Sequence, residues 1–87
     1  WKVLVFGAGN YSLEIIMFSN FKKHITKLVD QNPTYHNKKR LNYKVIAPRE
    51  IVNEKFDKII VASGRFKNEI IKQLNLMGIS RKKIITI

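Results

Sequence analysis

A run of apolar residues that stops at closely spaced glycines is the feature of this sequence that most restricts its fold. The run is Val3–Phe6, and the turn that follows it is Gly7-Ala8-Gly9. Apolar residues then recur at helical spacing, at Leu13, Ile16, Met17 and Phe21. This order predicts a buried strand from about Lys2 to Phe6, a sharp turn and an amphipathic helix from about Tyr11 to Lys22.

The glycine turn has a chemical use in such a unit. Gly7 allows the chain to reverse direction, and Gly9 allows the phosphates of a ligand to approach the backbone closely. The helix then begins with N–H groups that lack helical partners and with the positive end of its dipole. We therefore expect this turn to bind anions.

An acidic residue strengthens the interpretation as a nucleotide site. The dinucleotide pattern G-x-G-x-x-G is represented by Gly7, Gly9 and Ser12. Serine in place of the third glycine weakens the match, but because Ser12 is still small it does not abolish it. Asp30 follows about twenty residues later, at the end of a second apolar run, Ile25–Val29. An acid at that place binds a ribose 2′-hydroxyl in such folds.

Further apolar runs alternate with helical segments along the rest of the chain. They are a strand at Tyr43–Ile46, a short helix at Pro48–Asn53, a strand at Ile59–Ala62, a helix whose core stripe is Phe66, Ile70, Leu74 and Met77 with a cap at Gly78, and a strand at Ile84–Ile87. The polar segment 31–40 has no periodicity. It is predicted as a loop, either for ligand specificity or simply solvated.

Alternating strands and helices with right-handed crossovers predict an α/β fold with three layers and a parallel five-stranded sheet in the order 3-2-1-4-5. Ligands bind such sheets where the strand order reverses, beyond the carboxyl ends of the strands. The segment Gly7 to Ser12 and the segment Ser63-Gly64-Arg65 should therefore face one crevice.

Composition limits the function classes. The chain has 87 residues, no cysteine and a net charge of +11, so disulfides, thiolate metal sites and cysteine nucleophiles are excluded. Because the lysines are scattered and no nucleic-acid motif accompanies them, we do not expect nucleic acid as a partner. No apolar run is long enough to span a membrane, and we expect a cytoplasmic protein. The first residue is Trp1, so we expect a single domain, residues 1–87, of a longer protein.

The succession of motifs resembles a bacterial family, and the resemblance covers nearly the whole chain. The motifs are Val3–Gly9, Leu28–Pro33, Tyr43–Ile51, Phe56–Ser63 and Met77-Gly78-Ile79. They resemble the small Rossmann-like domain that precedes sugar O-acyltransferases, polysaccharide-type nucleotide-sugar dehydratases and epimerases, and some sugar methyltransferases.

The resemblance implies a role for each part of the crevice. Phosphates of a nucleotide-sugar or of NAD would lie against Gly7, Gly9, Asn10 and Tyr11, the ribose or base against Asp30, and the opposite wall would be Ser63 and Gly64. The chain departs from the family pattern at three places. Ser12 replaces a glycine, Gln31 replaces a frequent second acid, and Asn10-Tyr11 replaces the Gly-His pair of many acyltransferases.

The sequence contains no recognisable catalytic or metal-binding set. His24 and His36 are far apart and lack carboxylates that would orient them, and Ser12 and Ser63 lack a base partner. We therefore predict a domain that binds a nucleotide or nucleotide-sugar and leaves catalysis to another domain or to a partner in an oligomer. The alternatives are half of an NAD-dependent oxidoreductase, and a degenerate Rossmann module that serves as a scaffold or dimerisation unit.

Overall fold

The computed structural model describes residues 1–86, without the side chains of Tyr11, Ser12, Ile15 and Phe18. Its strands are β1 (Val3–Phe6), β2 (Ile25–Val29), β3 (Lys39–Arg40), β4 (Tyr43–Ile46), β5 (Lys58–Val61) and β6 (Ile84–Thr86), and its helices are α1 (Asn10–Phe18) and α2 (Lys67–Leu76). Short 3-10 helices lie at Lys22–His24, Pro33–Tyr35, Pro48–Asn53 and Arg81–Lys83. The prediction that the last strand extends to Ile87 lies outside the described residues.

The sheet has six strands in the order β3-β4-β2-β1-β5-β6, so the prediction of a five-stranded, wholly parallel sheet in the order 3-2-1-4-5 is wrong. The additional strand is β3, which lies in the segment predicted as a loop and pairs with β4 in the antiparallel direction. Because β3 comes third along the chain and occupies an edge, it changes both the direction pattern and the order. The other pairings are parallel, with β1 between β2 and β5.

Helical segments cover both faces of the sheet, because β1 is apolar at every position and β5 from Ile59 to Val61, so that these residues must be buried on both sides. On one face, Ile16 of α1 packs over Val3 and Val5 of β1. On the other face, Ile70 and Leu74 of α2 pack with Leu4 and Phe6. These two clusters form the core, and the arrangement has three layers.

The first helix is shorter than predicted, which changes which residues face the core. It ends at Phe18, and Phe21 reaches the same core cluster from the turn that follows the helix. Met17 was predicted in the apolar stripe but is 57% exposed. The segment containing Lys22 and Lys23 is a separate 3-10 helix and not the end of α1.

The second long helix begins at Lys67, after the predicted Phe66. Ile70 and Leu74 are buried as the stripe predicts, whereas Phe66 is 49% exposed and was wrongly assigned to the core. Gly78 has a φ of +86°, as expected of a residue that terminates a helix in the left-handed region. No helix in the described part of the chain combines the length and apolarity needed to cross a membrane.

Candidate functional site

A crevice of about 790 Å³ lies beyond the carboxyl ends of β1, β2 and β5. This is where an open α/β sheet binds its ligands, because the connections that follow the neighbouring strands β1 and β5 run over opposite faces of the sheet and separate there. The crevice is lined by most of the residues predicted as a site, namely Gly7, Gly9, Asn10, Asp30, Ser63, Gly64 and Arg65. The predicted roles of the Tyr11 and Ser12 side chains lie outside the described residues.

The turn after β1 depends on glycine. Gly7 has a φ of 131°, a conformation that side-chain-bearing residues rarely adopt. Its N–H donates to the Val29 carbonyl at 2.6 Å, so the backbone of the turn continues the pairing of β1 with β2. Gly9 has an ordinary φ of −80°, and a Cβ added there would meet nothing within 4 Å among the described residues, its two chain neighbours apart. The space beside Gly9 is open, as the approach of a ligand requires.

The first helical amides lie at this turn. Leu13 is the first residue of α1 whose N–H has a helical acceptor, the Gly9 carbonyl at 3.0 Å. Gly9 provides no side-chain cap, so the amides of Asn10 and its successors in the first turn have no partner within the helix. With the helix dipole, they make this end of α1 favourable for an anion.

Asp30 lines the crevice and also braces the glycine turn. Its Oδ2 accepts a hydrogen bond from the Ala8 N–H at 2.8 Å, and its Oδ1 accepts one from the Asn32 N–H at 2.8 Å. The Gly7 and Ala8 amides of the turn are therefore engaged within the protein. A carboxylate has about four acceptor positions, so Asp30 retains capacity for a ribose hydroxyl.

The segment after β2 is ordered by contacts that return to Asp30. His36 Nε2 lies 2.6 Å from the Asp30 carbonyl oxygen, and because a carbonyl can only accept, that ring nitrogen carries the proton. The Asn32 side chain accepts from the Thr34 N–H at 3.0 Å and begins the 3-10 helix at Pro33–Tyr35. His36 thus ties the segment after β2 to the backbone of Asp30.

The opposite wall is the connection from β5 to α2. Ser63 Oγ accepts from the Phe66 N–H at 3.3 Å, which fixes the tight turn through Gly64 and Arg65. A Cβ at Gly64 would also meet no protein atom within 4 Å. The Arg65 guanidinium carbon lies 5.4 Å from the centre of the Phe66 ring. This wall therefore presents a cation, an aromatic ring and uncovered backbone.

Several lining residues were not predicted as site residues from the sequence. They are Phe6, Gln31, Asn32, Ala62, Phe66, Glu69 and Ile70. Gln31 and Asn32 follow Asp30 directly, and this proximity was the signal that could have identified them. Phe66 has the spacing of a core residue, so only its position before the first turn of α2 distinguishes it.

The crevice has the chemistry of a binding site. Its ionisable lining groups are Asp30, Arg65 and Glu69. Asp30 follows β2 on one wall, whereas Arg65 precedes α2 and Glu69 lies in α2 on the other. Within residues 1–86, histidine and carboxylate side chains do not gather into a set that could hold a metal ion. What the arrangement can do is bind: backbone amides can donate hydrogen bonds to a phosphate, Asp30 can accept them from hydroxyl groups, and Phe66 offers a flat apolar face.

The three-layer fold and the glycine turn between β1 and α1 define a Rossmann-like domain. Residues 1–85 match the family described as C2185-like, N-terminal, and the chain belongs to that family. No curated protein sequence matches the chain.

Solved structures with this fold include proteins of different activities. UDP-D-quinovosamine 4-dehydrogenase from Vibrio fischeri superposes with a TM-score of 0.75 and 20% identity, over 99% of this chain and 76% of that chain. Three structures of the Rex-family repressor RSP superpose with TM-scores of 0.70 to 0.71 and 18% identity, over 99 to 100% of this chain and 49 to 52% of that chain. One structure of RSP contains β-NAD⁺ and operator DNA. At these identities, the likeness establishes the fold.

Proposed function

We propose that this domain binds a nucleotide diphosphate ligand, NAD or a nucleotide-sugar, in the crevice beyond β1, β2 and β5. The observation that carries the proposal is the open space at Gly9 beside the first amides of α1. A diphosphate placed there accepts hydrogen bonds from the backbone amides of the first turn of α1. The net charge of +11 adds a long-range attraction for such an anion.

The remainder of the ligand has matching partners on both sides of the turn. Asp30 lies on the β2 side, and its remaining acceptor positions suit the hydroxyls of a ribose. Arg65 lies on the β5 side and supplies the cation that balances phosphate charge. NAD and a nucleotide-sugar share the ribose and the diphosphate. The names of the similar structures, a UDP-sugar dehydrogenase and an NAD-bound repressor, support both ligands as candidates.

In this proposal the domain is one part of a longer cytoplasmic protein that modifies sugars for bacterial surface polysaccharides. The domain binds the nucleotide, and another domain carries the chemistry. This division accounts for a crevice that has binding groups on both walls but no nucleophile paired with a base. In the oxidoreductase alternative, NAD is the ligand and the missing part holds the substrate. In the scaffold alternative, the crevice stays empty.

Titration calorimetry of the chain with NAD, NADP and UDP-glucose tests the proposal. We expect saturable binding of NAD or UDP-glucose. In the Gly9→Ala variant, the added methyl occupies ligand space, and we expect the affinity to fall about tenfold or more. Asn68→Ala is the matched control, because Asn68 is exposed on α2 and does not line the crevice. Absence of binding at millimolar ligand, or equal binding by the Gly9 variant, contradicts the proposal.

A further inference from the structure

We infer that Phe66 forms the nucleobase subsite of the crevice, where its ring stacks on the planar base of the bound nucleotide. The inference rests on the proposed function and specifies which group of the ligand meets the β5–α2 wall. Phe66 has the helical spacing of the α2 core stripe, but its side chain is 49% exposed. The ring lines the crevice and does not join the core cluster beneath α2.

The ring is held in place from two directions. The Phe66 N–H donates to Ser63 Oγ at 3.3 Å, which fixes its backbone in the turn before α2. The Arg65 guanidinium carbon lies 5.4 Å from the ring centroid, in the range of a cation–π contact. Such a contact occupies one face of the ring, and the exposure of the side chain leaves a face for a ligand. A guanidinium, an aromatic ring and a base then form one stack.

The opposing wall carries groups that can hydrogen-bond the edge of a base. Gln31 Nε2 donates to Gln73 Oε1 of α2 at 3.2 Å, which ties the segment after β2 to the helix that follows Phe66. Within residues 1–86, the Gln31 Oε1 atom accepts no hydrogen bond, and Asn32 uses only its Oδ1, for the Thr34 N–H. Amide side chains that retain donors and acceptors are suited to the polar edge of a base stacked on Phe66.

The inference is tested by substituting the ring and measuring affinity for ligands with and without a base. The variants are Phe66→Leu, which keeps apolar volume but removes the π face, and Phe66→Tyr, which keeps the π face. The ligands are NAD, UDP-glucose and inorganic pyrophosphate, measured by calorimetry on the whole chain. Phe56→Leu is the matched control, because the Phe56 ring also lies near a cation, Lys83 Nζ at 5.1 Å, but does not line the crevice.

We expect the Leu variant to lose about tenfold in affinity for the nucleotide that the unsubstituted chain binds, a loss within the range of base–aromatic stacking. The Tyr variant and the Phe56 control should keep that affinity, and pyrophosphate should bind the Leu variant as it binds the original chain. Nucleotide affinity that is unchanged in the Leu variant, or lost equally in the Leu and Tyr variants, overturns the inference and leaves the proposed function intact. Absence of nucleotide binding by the unsubstituted chain overturns both.

Discussion

Replacing Asp30 by asparagine should destabilise the protein even without ligand, because Asp30 holds two segments of backbone together. Each carboxylate oxygen accepts one amide hydrogen bond, from Ala8 and from Asn32, both at 2.8 Å. An asparagine side chain has one acceptor oxygen, so one of these amides would face an NH₂ group. A hydrogen bond to a charged group contributes about 1.5–3 kcal/mol, and partial solvent exposure places the expected loss near the lower part of that range, about 2 kcal/mol.

Urea denaturation measures this loss directly. With a slope of about 1 kcal/mol per molar urea for a small domain, the midpoint should fall by about 2 M. Asp57→Asn is the matched control: Asp57 is exposed, and within the described part of the chain its side chain accepts a hydrogen bond only from the Lys2 N–H, at 2.7 Å. An asparagine oxygen can replace that acceptor, so the control should lose no more than about 0.5 kcal/mol. Equal shifts in the two variants, or a midpoint unchanged in Asp30→Asn, would refute the bracing role.

Other substitutions test the local geometry. Gly7→Ala should lower the free energy of unfolding by about 1–3 kcal/mol because of the φ of 131°. The Gly9→Ala variant should stay within about 1 kcal/mol of the original chain. Equal shifts of the thermal midpoint in the two variants would contradict the assigned turn. Ile16→Ala should lower the free energy of unfolding by about 2–5 kcal/mol because Ile16 is 1% exposed. Met17→Gln should change it by about 0.5 kcal/mol or less because Met17 is 57% exposed. The reverse ranking in urea denaturation would show that α1 presents another face to the sheet. If NAD binds, NADP should bind more weakly, since the Asp30 carboxylate repels a 2′-phosphate; competition calorimetry that shows a preference for NADP would contradict this placement of the ribose.

The strands were predictable because each central one is a short apolar run bounded by polar or turn residues. The predicted strands at Ile25–Val29 and Tyr43–Ile46 are confirmed with the same bounds, and the first strand, predicted from about Lys2 to Phe6, begins one residue later, at Val3. The strand predicted at Ile59–Ala62 is displaced by one residue, to Lys58–Val61. Strand β3 could not be predicted in this way, because it has only two residues, Lys39 and Arg40, both charged and at the sheet edge.

The side-chain environment was less accessible from the sequence. The spacing of Met17 and Phe66 is compatible with a core stripe, but spacing does not specify where a helix begins and ends. Met17 lies within α1 next to the buried Ile16 but is itself exposed, and Phe66 is exposed because it precedes α2, which begins only at Lys67. The hydrogen bond from Ala8 to Asp30 links residues 22 positions apart. Sequence patterns place the two residues near one edge of the sheet but do not predict that the Asp30 carboxylate accepts a hydrogen bond from the Ala8 N–H.

The central claim, that uncovered amides at the glycine turn bind a ligand diphosphate, is tested most directly by following backbone amide resonances during a nucleotide titration. On addition of NAD or UDP-glucose, the account predicts saturable shifts that are largest for Gly9, Asn10 and Gly64, with Ser80 at the opposite end of the sheet unaffected. Saturable shifts elsewhere that leave Gly9 and Asn10 unchanged, or no saturable shift with either nucleotide, would contradict it.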